Sequence, residues 1–347
     1  MSNVEPIDAA TIAAGARALE SGHLVAFPTE TVYGLGADAE NPAAVGAIYA
    51  AKGRPQDHPV IVHLAPDADI AHWACDIPPQ AHALAEAFWP GPLTMILKRA
   101  PNIPDAVSGG QDTVGLRCPS HPVAIALLRG FKGGQGGVAA PSANKFGHVS
   151  PTTAQHVRDE FGADGSVALV LDGGASQVGI ESTIVDLSRL STHGPVLLRP
   201  GHVSAEAIAA VIGQLPGTPD AHRDPTAPRA SGTLESHYAP HTPVAMQDTA
   251  TLVHTLEQMA EAGRKVALIH YSDLWTVDIA ERLPATPEGF AHALYAALRA
   301  MDGKKADLIL VEAPPEDGAW LGVNDRLRRA AHGSTGIVHG LLNRDAG

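Results

Sequence analysis

Lys52-Gly53-Arg54-Pro55 places two cations around a glycine at the end of an apolar helical stretch. Arg117 closes the run Thr113-Val114-Gly115-Leu116, and Arg199 closes Val196-Leu197-Leu198 before Pro200-Gly201. A guanidinium is a planar fork that meets carboxylate or phosphate oxygens in pairs, while an ammonium acts as a point charge. The chemistry on offer is the binding of an anion at strand ends, where ligands sit in α/β sheets. The same residues would serve as surface ion pairs, and a helix C-terminus attracts Lys and Arg through its dipole alone. Scarcity favours the ligand reading for Lys52 and Arg54: residues 1–212 hold four Lys and eight Arg, and two of these share one turn.

Three less charged segments accompany the cations. The run from Phe27 to Gly36, Phe27-Pro28-Thr29-Glu30-Thr31-Val32-Tyr33-Gly34-Leu35-Gly36, reads either as a ligand loop or as a polar turn with its glycines. Ala139-Ala140-Pro141-Ser142-Ala143-Asn144 and Gly179-Ile180-Glu181-Ser182-Thr183 put small and hydroxyl residues at two more strand ends, where a ligand can approach the backbone closely. Neither Gly-x-x-x-x-Gly-Lys-Ser/Thr nor Gly-x-Gly-x-x-Gly occurs, so neither standard phosphate loop is present. Gly130-Phe131-Lys132-Gly133-Gly134-Gln135-Gly136-Gly137 matches no such spacing and reads as a mobile connection. The 18 histidines include no His-x-x-x-His pair with an intervening glutamate, and there is no Gly-x-Ser-x-Gly, so zinc hydrolysis and serine-type covalent hydrolysis are unsupported.

The elements that must hold these residues alternate. Apolar spacing of three and four predicts helices over 9–21, 42–52, 79–89, 122–128, 154–161 and 205–212. Short apolar runs predict strands at 23–27, 60–64, 93–98, 113–118, 138–140, 168–171, 183–187 and 196–198, which makes a mixed α/β unit over residues 1–212. Residues 213–243 carry Pro216, Pro219, Pro225, Pro228, Pro240 and Pro243 with little periodicity and read as an extended linker. Beyond them, strands at 265–270 and 307–311 and helices at 289–301 and 322–331 predict a small parallel α/β domain over 244–347.

The composition agrees. A chain of 347 residues exceeds what one core usually serves, and 45% hydrophobic residues suffice for two. No apolar run is long enough to span a membrane and the first residues lack a secretory leader pattern, so a cytoplasmic protein is expected. The two cysteines, Cys75 and Cys118, form no metal-binding spacing and read as buried thiols. At a net charge of −13 the chain has few cations to neutralise a phosphate backbone, so no stable nucleic-acid binding is expected and an anionic ligand must be met locally.

Read in order, Pro28-Thr29-Glu30-Thr31-Val32-Tyr33-Gly34-Leu35, Lys52-Gly53-Arg54-Pro55, Trp89-Pro90-Gly91-Pro92-Leu93-Thr94, Arg117-Cys118-Pro119, Ala140-Pro141-Ser142-Ala143-Asn144, Glu181-Ser182-Thr183-Ile184 and Leu198-Arg199-Pro200-Gly201 resemble the YrdC-type threonylcarbamoyl-AMP synthase family. His237-Tyr238-Ala239-Pro240 and the α/β tail resemble its longer, two-domain branch. The resemblance implies a YrdC-like twisted mixed sheet with flanking helices, a Pro-rich linker acting as an active-site lid, and a smaller Rossmann-like C-terminal α/β domain. It implies a nucleotidyltransferase that makes threonylcarbamoyl-AMP and pyrophosphate from L-threonine, bicarbonate or CO2, and ATP. Mg2+ would ride on the ATP phosphates without a protein ligand, and no organic cofactor is implied. The product would pass transiently to a downstream tRNA threonylcarbamoyl transferase complex.

By motif position, the resemblance assigns Lys52 and Arg54 to catalysis, and Thr29, His63, Arg117, Ala140 and Ser182 to L-threonine. It assigns Lys52, Arg54, Thr113, Ser142, Asn144, Ser150, Arg199 and Tyr238 to ATP, with Tyr238 closing over the nucleotide. A Pro-Gly-Met-Lys stretch of the family pattern is replaced here by Ala230-Ser231-Gly232-Thr233-Leu234-Glu235-Ser236. Three rival readings are a non-catalytic RNA binder, an inactive relative, and a hydrogenase-maturation carbamoyltransferase. The charge opposes the first, the intact basic and hydroxyl positions oppose the second, and the lack of Cys-x-x-Cys motifs opposes the third.

Overall fold

The structure is a computed structural model that describes residues 7–162, 164–219, 227–232, 237–273 and 277–343. Its contacts divide the chain into two units, Met1–Phe146 with Pro151–Thr233, and Gly147–Ser150 with Leu234–Gly347. The segment predicted as a linker is thus shared, with residues 213–219 and 227–232 in the first unit and 237–243 in the second; residues 220–226 and 233–236 of it lie outside the described residues.

The first unit is built on ten strands: β1 (Val25–Phe27), β2 (Gly34–Asp38), β3 (Ile61–Leu64), β4 (Ala74–Cys75), β5 (Leu93–Arg99), β6 (Thr113–Arg117), β7 (Gly137–Ala139), β8 (Leu169–Val170), β9 (Thr183–Asp186) and β10 (Val196–Arg199). Their order is β10-β9-β5-β6-β3-β7-β2-β1-β8, with β4 on β5. The sheet is mixed, as the sequence predicts: β3 runs parallel to β6 and β5 to β9, while β5 and β6 are antiparallel. β2 is a strand that the sequence reading places in a loop. Its glycines are there for close packing, because a Cβ on Gly36 would stand 2.8 Å from the Phe27 ring and 2.9 Å from Val138.

Strand side chains alternate between the two faces of a sheet. Val62, Leu64, Met95, Leu97, Val114, Leu116 and Val185 turn to one face and join the main core with Ile48, Leu84 and Ile208 from the helices Pro42–Lys52, Pro79–Phe88 and Ala205–Ile212. Each fully buried Leu or Ile there stabilises the fold by about 1.5–3 kcal/mol. The residues between them, Ile61 and His63, Thr94 and Ile96, Thr113, Gly115 and Arg117, and Ile184, take the other face. One end of that face lies under Leu19 and Leu127 of the helices Ala9–Glu20 and Pro122–Gly130. At the other end Ile61, Ile96, Ile184 and Leu198 form a small cluster capped by Ala230.

The glycine-rich stretch is a packed turn, not a mobile connection. Phe131 is buried, and a Cβ on Gly136 or Gly137 would come within 2.6 Å of Phe131 or 2.4 Å of Trp73. Cys118 is buried as expected, with burial pushing its thiol up to about 12, but Cys75 is only half-buried and donates to the Arg99 carbonyl.

The second unit has an all-parallel sheet of β11 (Val244–Gln247), β12 (Val266–His270), β13 (Ala280–Arg282) and β14 (Leu308–Glu312), ordered β11-β14-β12-β13. Helices Thr249–Glu261, Pro287–Asp302, Leu321–Ala331 and Ile337–Leu342 accompany it. Leu252, Met259, Leu268, Leu308 and Leu310 form its core. Among the described residues no helix is long and apolar enough to cross a membrane.

Candidate active site

Register brings the predicted strand residues of the first unit, His63, Thr113, Arg117 and Arg199, to one sheet face. His63 on β3 lies opposite Arg117 on β6, Leu93 on β5 lies opposite Thr183 on β9, and Arg199 on β10 lies opposite Ile184. Between Thr113 and Arg117 the strand carries Gly115, where a Cβ would stand 3.1 Å from Ile96 and 3.5 Å from Ile61. The missing side chain lets Ile96 and Ile61 close over the strand between two ligand-capable residues.

Around Arg117 the polar groups form a directed chain. Its Nη2 donates to Glu30 Oε1 at 2.5 Å, its Nη1 to Thr31 Oγ1 at 2.8 Å and its Nε to the Gly91 carbonyl at 3.3 Å. Thr29 Oγ1 donates to the Val32 carbonyl at 2.6 Å and lies 2.8 Å from Thr31 Oγ1, so Thr31 donates to Thr29. The Thr31 and Val32 amides also donate to Thr29 Oγ1. The Thr29 hydroxyl therefore shapes the loop and orients Thr31 beneath the guanidinium. The Glu30 and Thr31 carbonyls accept from Val178 and Gly179, which ties this loop to the segment leading to Ser182.

His63 is buried, edge-on to Phe27, and its Nδ1 has no hydrogen-bond partner. Burial, reinforced by the Arg117 charge, lowers its pKa to about 3. It is a neutral imidazole with an acceptor or donor to offer. Ala140 carries no polar side-chain atom; its amide closes the sheet onto the Ile61 carbonyl.

A second group centres on Ser182 and Arg199. Arg199 Nε donates to the Ser182 carbonyl at 3.0 Å, Nη2 to Ser182 Oγ at 3.2 Å and Nη1 to the Ser231 carbonyl at 2.7 Å. Thr94 Oγ1 lies 2.7 Å from Ser182 Oγ. The segment Arg229 to Ser231 lies over the small isoleucine cluster beside Thr113, and the Gln111 side chain bonds both the amide and the carbonyl of Arg229.

The third group gathers on the helix Pro42–Lys52 and the loop after β7. Lys52 Nζ donates to the carbonyls of Ser142 at 2.6 Å and Asn144 at 2.5 Å. Burial, then the nearby Arg54 charge, holds its pKa well below the usual lysine value. Gly53 caps the helix at φ 65, which is why a glycine separates the two cations. Arg54 turns back to the His58 and Pro59 carbonyls and lies over the Phe146 ring. Ser142 bridges to Gly34, and the Asn144 side-chain Nδ2 donates to the Lys145 carbonyl.

Ser150 and Tyr238 fall in the second unit. Arg299 donates to the Val149 and Ser150 carbonyls. Tyr238 is buried at φ 60 against His237 and Tyr295, with the Arg326 guanidinium 5.7 Å from its ring centre. Sequence reasoning passed over Glu30, Thr31 and Thr94 as functional positions, because what distinguishes them is a partner far along the chain. A separate hollow of about 320 Å³ near Leu64, Trp89, Pro90 and Cys118 is mainly apolar and offers no cation. Among the described residues no cluster of His, Cys, Asp and Glu could hold a metal ion.

Residues 17–201 match the family described as Telomere recombination, and residues 203–332 match the threonylcarbamoyl-AMP synthase C-terminal domain. The threonylcarbamoyl-AMP synthase of Pyrococcus abyssi is 40% identical over 320 residues, covering 90% of this chain and 92% of that protein. That of Bacillus subtilis is 40% identical over 335 residues, covering 93% of each. The crystal structure of Pyrococcus abyssi Sua5 complexed with L-threonine superposes with a TM-score of 0.86 at 39% identity, covering 94% of this chain and 96% of that one. With this face, both domain matches and full-length relatives in agreement, the chain belongs to the threonylcarbamoyl-AMP synthase family.

Proposed function

We propose that this chain is an adenylyl-transferring enzyme that converts L-threonine, bicarbonate or CO2, and ATP into threonylcarbamoyl-AMP and pyrophosphate. The observation that carries this reading is the gathering of Arg117, Ser182 and Arg199 on one sheet face, in a chain similar over nearly its full length to named synthases and to a threonine-bound structure. The threonine amine takes up CO2 as a carbamate. A carbamate oxygen then attacks the α-phosphorus of ATP, and pyrophosphate leaves. Such a reaction is governed by positioning and charge neutralisation, and no protein nucleophile is required.

The Arg117 side of the face, with neutral His63 and the loop built by Thr29, is assigned to threonine. Three of the five guanidinium N–H donors of Arg117 are engaged, which leaves two for a carboxylate. Lys52, Arg54, Thr113, Ser142, Asn144 and Arg199 are assigned to ATP. Lys52 keeps one ammonium proton beyond its two carbonyl bonds. Mg2+ would enter on the phosphates; the donors in this unit are cations and hydroxyls, a set suited to holding phosphate oxygens. The expected consumer is a tRNA-modifying transferase, and the expected compartment is the cytoplasm.

The test is pyrophosphate release from ATP and Mg2+, with threonine and bicarbonate each present or omitted, in wild type and Lys52→Ala. Release that needs both co-substrates and is lost in the variant supports the assignment. Release with neither would identify a plain ATP hydrolase and overturn it.

A further inference from the structure

Thr94 on β5 is fully buried, and its hydroxyl has a single partner among the described residues, Ser182 Oγ at 2.7 Å. Ser182 Oγ also receives Arg199 Nη2 at 3.2 Å. A guanidinium can only donate, and a hydroxyl has one proton and two acceptor positions. If Thr94 donates to Ser182, both acceptor positions of Ser182 are filled and its own O–H meets no acceptor among the described residues. If Ser182 donates to Thr94, the stranded proton is that of Thr94. In either arrangement two hydroxyl protons share one internal hydrogen bond, and one O–H is left over. Both residues are at most 1% exposed. A buried donor left unmatched costs about 1–3 kcal/mol, a cost a ligand oxygen would remove.

We propose that Thr94 is a positioning residue for substrate recognition. Its O–H fills one acceptor position of Ser182 while Arg199 fills the other, so that the Ser182 proton is aimed at an acceptor oxygen of the substrate. The acceptor is a carboxylate oxygen of the bound amino acid. This rests on the assignment of Ser182 to the threonine side of the site. Thr94 touches no substrate itself; it sets which way Ser182 points.

The experiment measures pyrophosphate release by the full chain, varying threonine at saturating ATP and bicarbonate and then ATP at saturating threonine. Thr94→Val keeps the shape and deletes the donor, Thr94→Ala deletes it in a smaller side chain, and Thr94→Ser restores it. The expected result is a KM for threonine raised about tenfold in the Val and Ala variants, the scale of one hydrogen bond to a charged group, with the KM for ATP unchanged. Thr94→Ser should return the threonine KM to near the wild-type value. An unchanged threonine KM in both Val and Ala, a parallel rise in the ATP KM, or failure of Thr94→Ser to restore binding would overturn the relay alone. A wild type that releases pyrophosphate without threonine would overturn the substrate assignment, and the relay with it.

Discussion

Glu30 Oε1 and Arg117 Nη2 lie 2.5 Å apart, with both side chains at most 7% exposed. Eighty-seven positions separate them in the chain, and the Ser120 amide donates to the second Glu30 oxygen. The pair places a neutralised cation among the candidate site residues, held by a loop whose Thr31 hydroxyl also accepts from the guanidinium.

Removing one partner of such a pair leaves an uncompensated buried charge. Glu30→Gln should destabilise the first unit by about 3 kcal/mol, and the double variant Glu30→Gln with Arg117→Met should recover part of the loss. Urea unfolding of the single and double variants measures both. A Glu30→Gln protein as stable as wild type would show that the pair contributes only geometry.

His63 titrates near pH 6.5 when unfolded and near pH 3 when folded, because burial, and after it Arg117, disfavours the imidazolium. The unfolded chain therefore binds the extra proton first. The stability from keeping His63 neutral is complete above pH 6.5 and is lost as pH falls toward 3, at about 1.4 kcal/mol per pH unit. His63→Asn should flatten the fall in unfolding free energy between pH 6.5 and 4. Identical slopes in the two proteins would show that another group carries the acid sensitivity.

Gly133, in the turn, and Gly137, at the start of β7, are glycines for different reasons. A Cβ on Gly137 meets Trp73 at 2.4 Å and Val62 at 2.6 Å, so Gly137→Ala should cost about 1–3 kcal/mol through overpacking. Gly133 at φ 62 has open space around it, so Gly133→Ala should cost about 1 kcal/mol through backbone strain alone. Trimming the obstacle separates the mechanisms: Trp73→Phe should lessen the Gly137→Ala penalty and leave that of Gly133→Ala as it was.

In the second unit Glu312 accepts hydrogen bonds from the Tyr271 and Ser272 amides, the Ser272 hydroxyl and the Thr249 hydroxyl. Burial pushes its pKa up, but these bonds together outweigh it and hold the carboxyl below its usual value. The stability they give is present above pH 4.5 and is lost as pH falls through the lowered folded value. Glu312→Gln replaces one acceptor oxygen by a donor facing other donors, and should destabilise this unit by about 2 kcal/mol. Thermal melts at pH 7 read the loss, and a melting temperature equal to wild type would contradict it.

The alternation of elements was legible because most strands of the first unit are short apolar runs with stops at both ends, such as Val60 to Leu64 before Ala65-Pro66. β2 was not, since Gly34-Leu35-Gly36-Ala37-Asp38 has neither β-branched nor aromatic residues and its glycines answer to contacts with Phe27, Val138 and Ala140. In the second unit, β11 and the helix Thr249–Glu261 escaped notice behind Pro240 and Pro243, although Leu252, Thr255 and Met259 share a buried face. The cations were legible from residue type and position. What each one touches was not: Arg117 with Glu30 and Ser182 with Thr94 are joined only by strand order, and no local spacing encodes that order.

The cations of this face are closed off from solvent, Arg117 at 4% and Arg199 at 2% exposed, while the chain as a whole carries a net charge of −13. Dissolved ions screen exposed charges over about 8–10 Å and hardly reach buried ones. An incoming anion is thus repelled at long range by the acidic surface and attracted only at contact. Added salt weakens the repulsion and leaves the contact attraction intact, so moderate ionic strength should speed capture of an anionic ligand without loosening its hold. That is the reverse of the salt response of a protein that draws its anion in with an exposed basic surface.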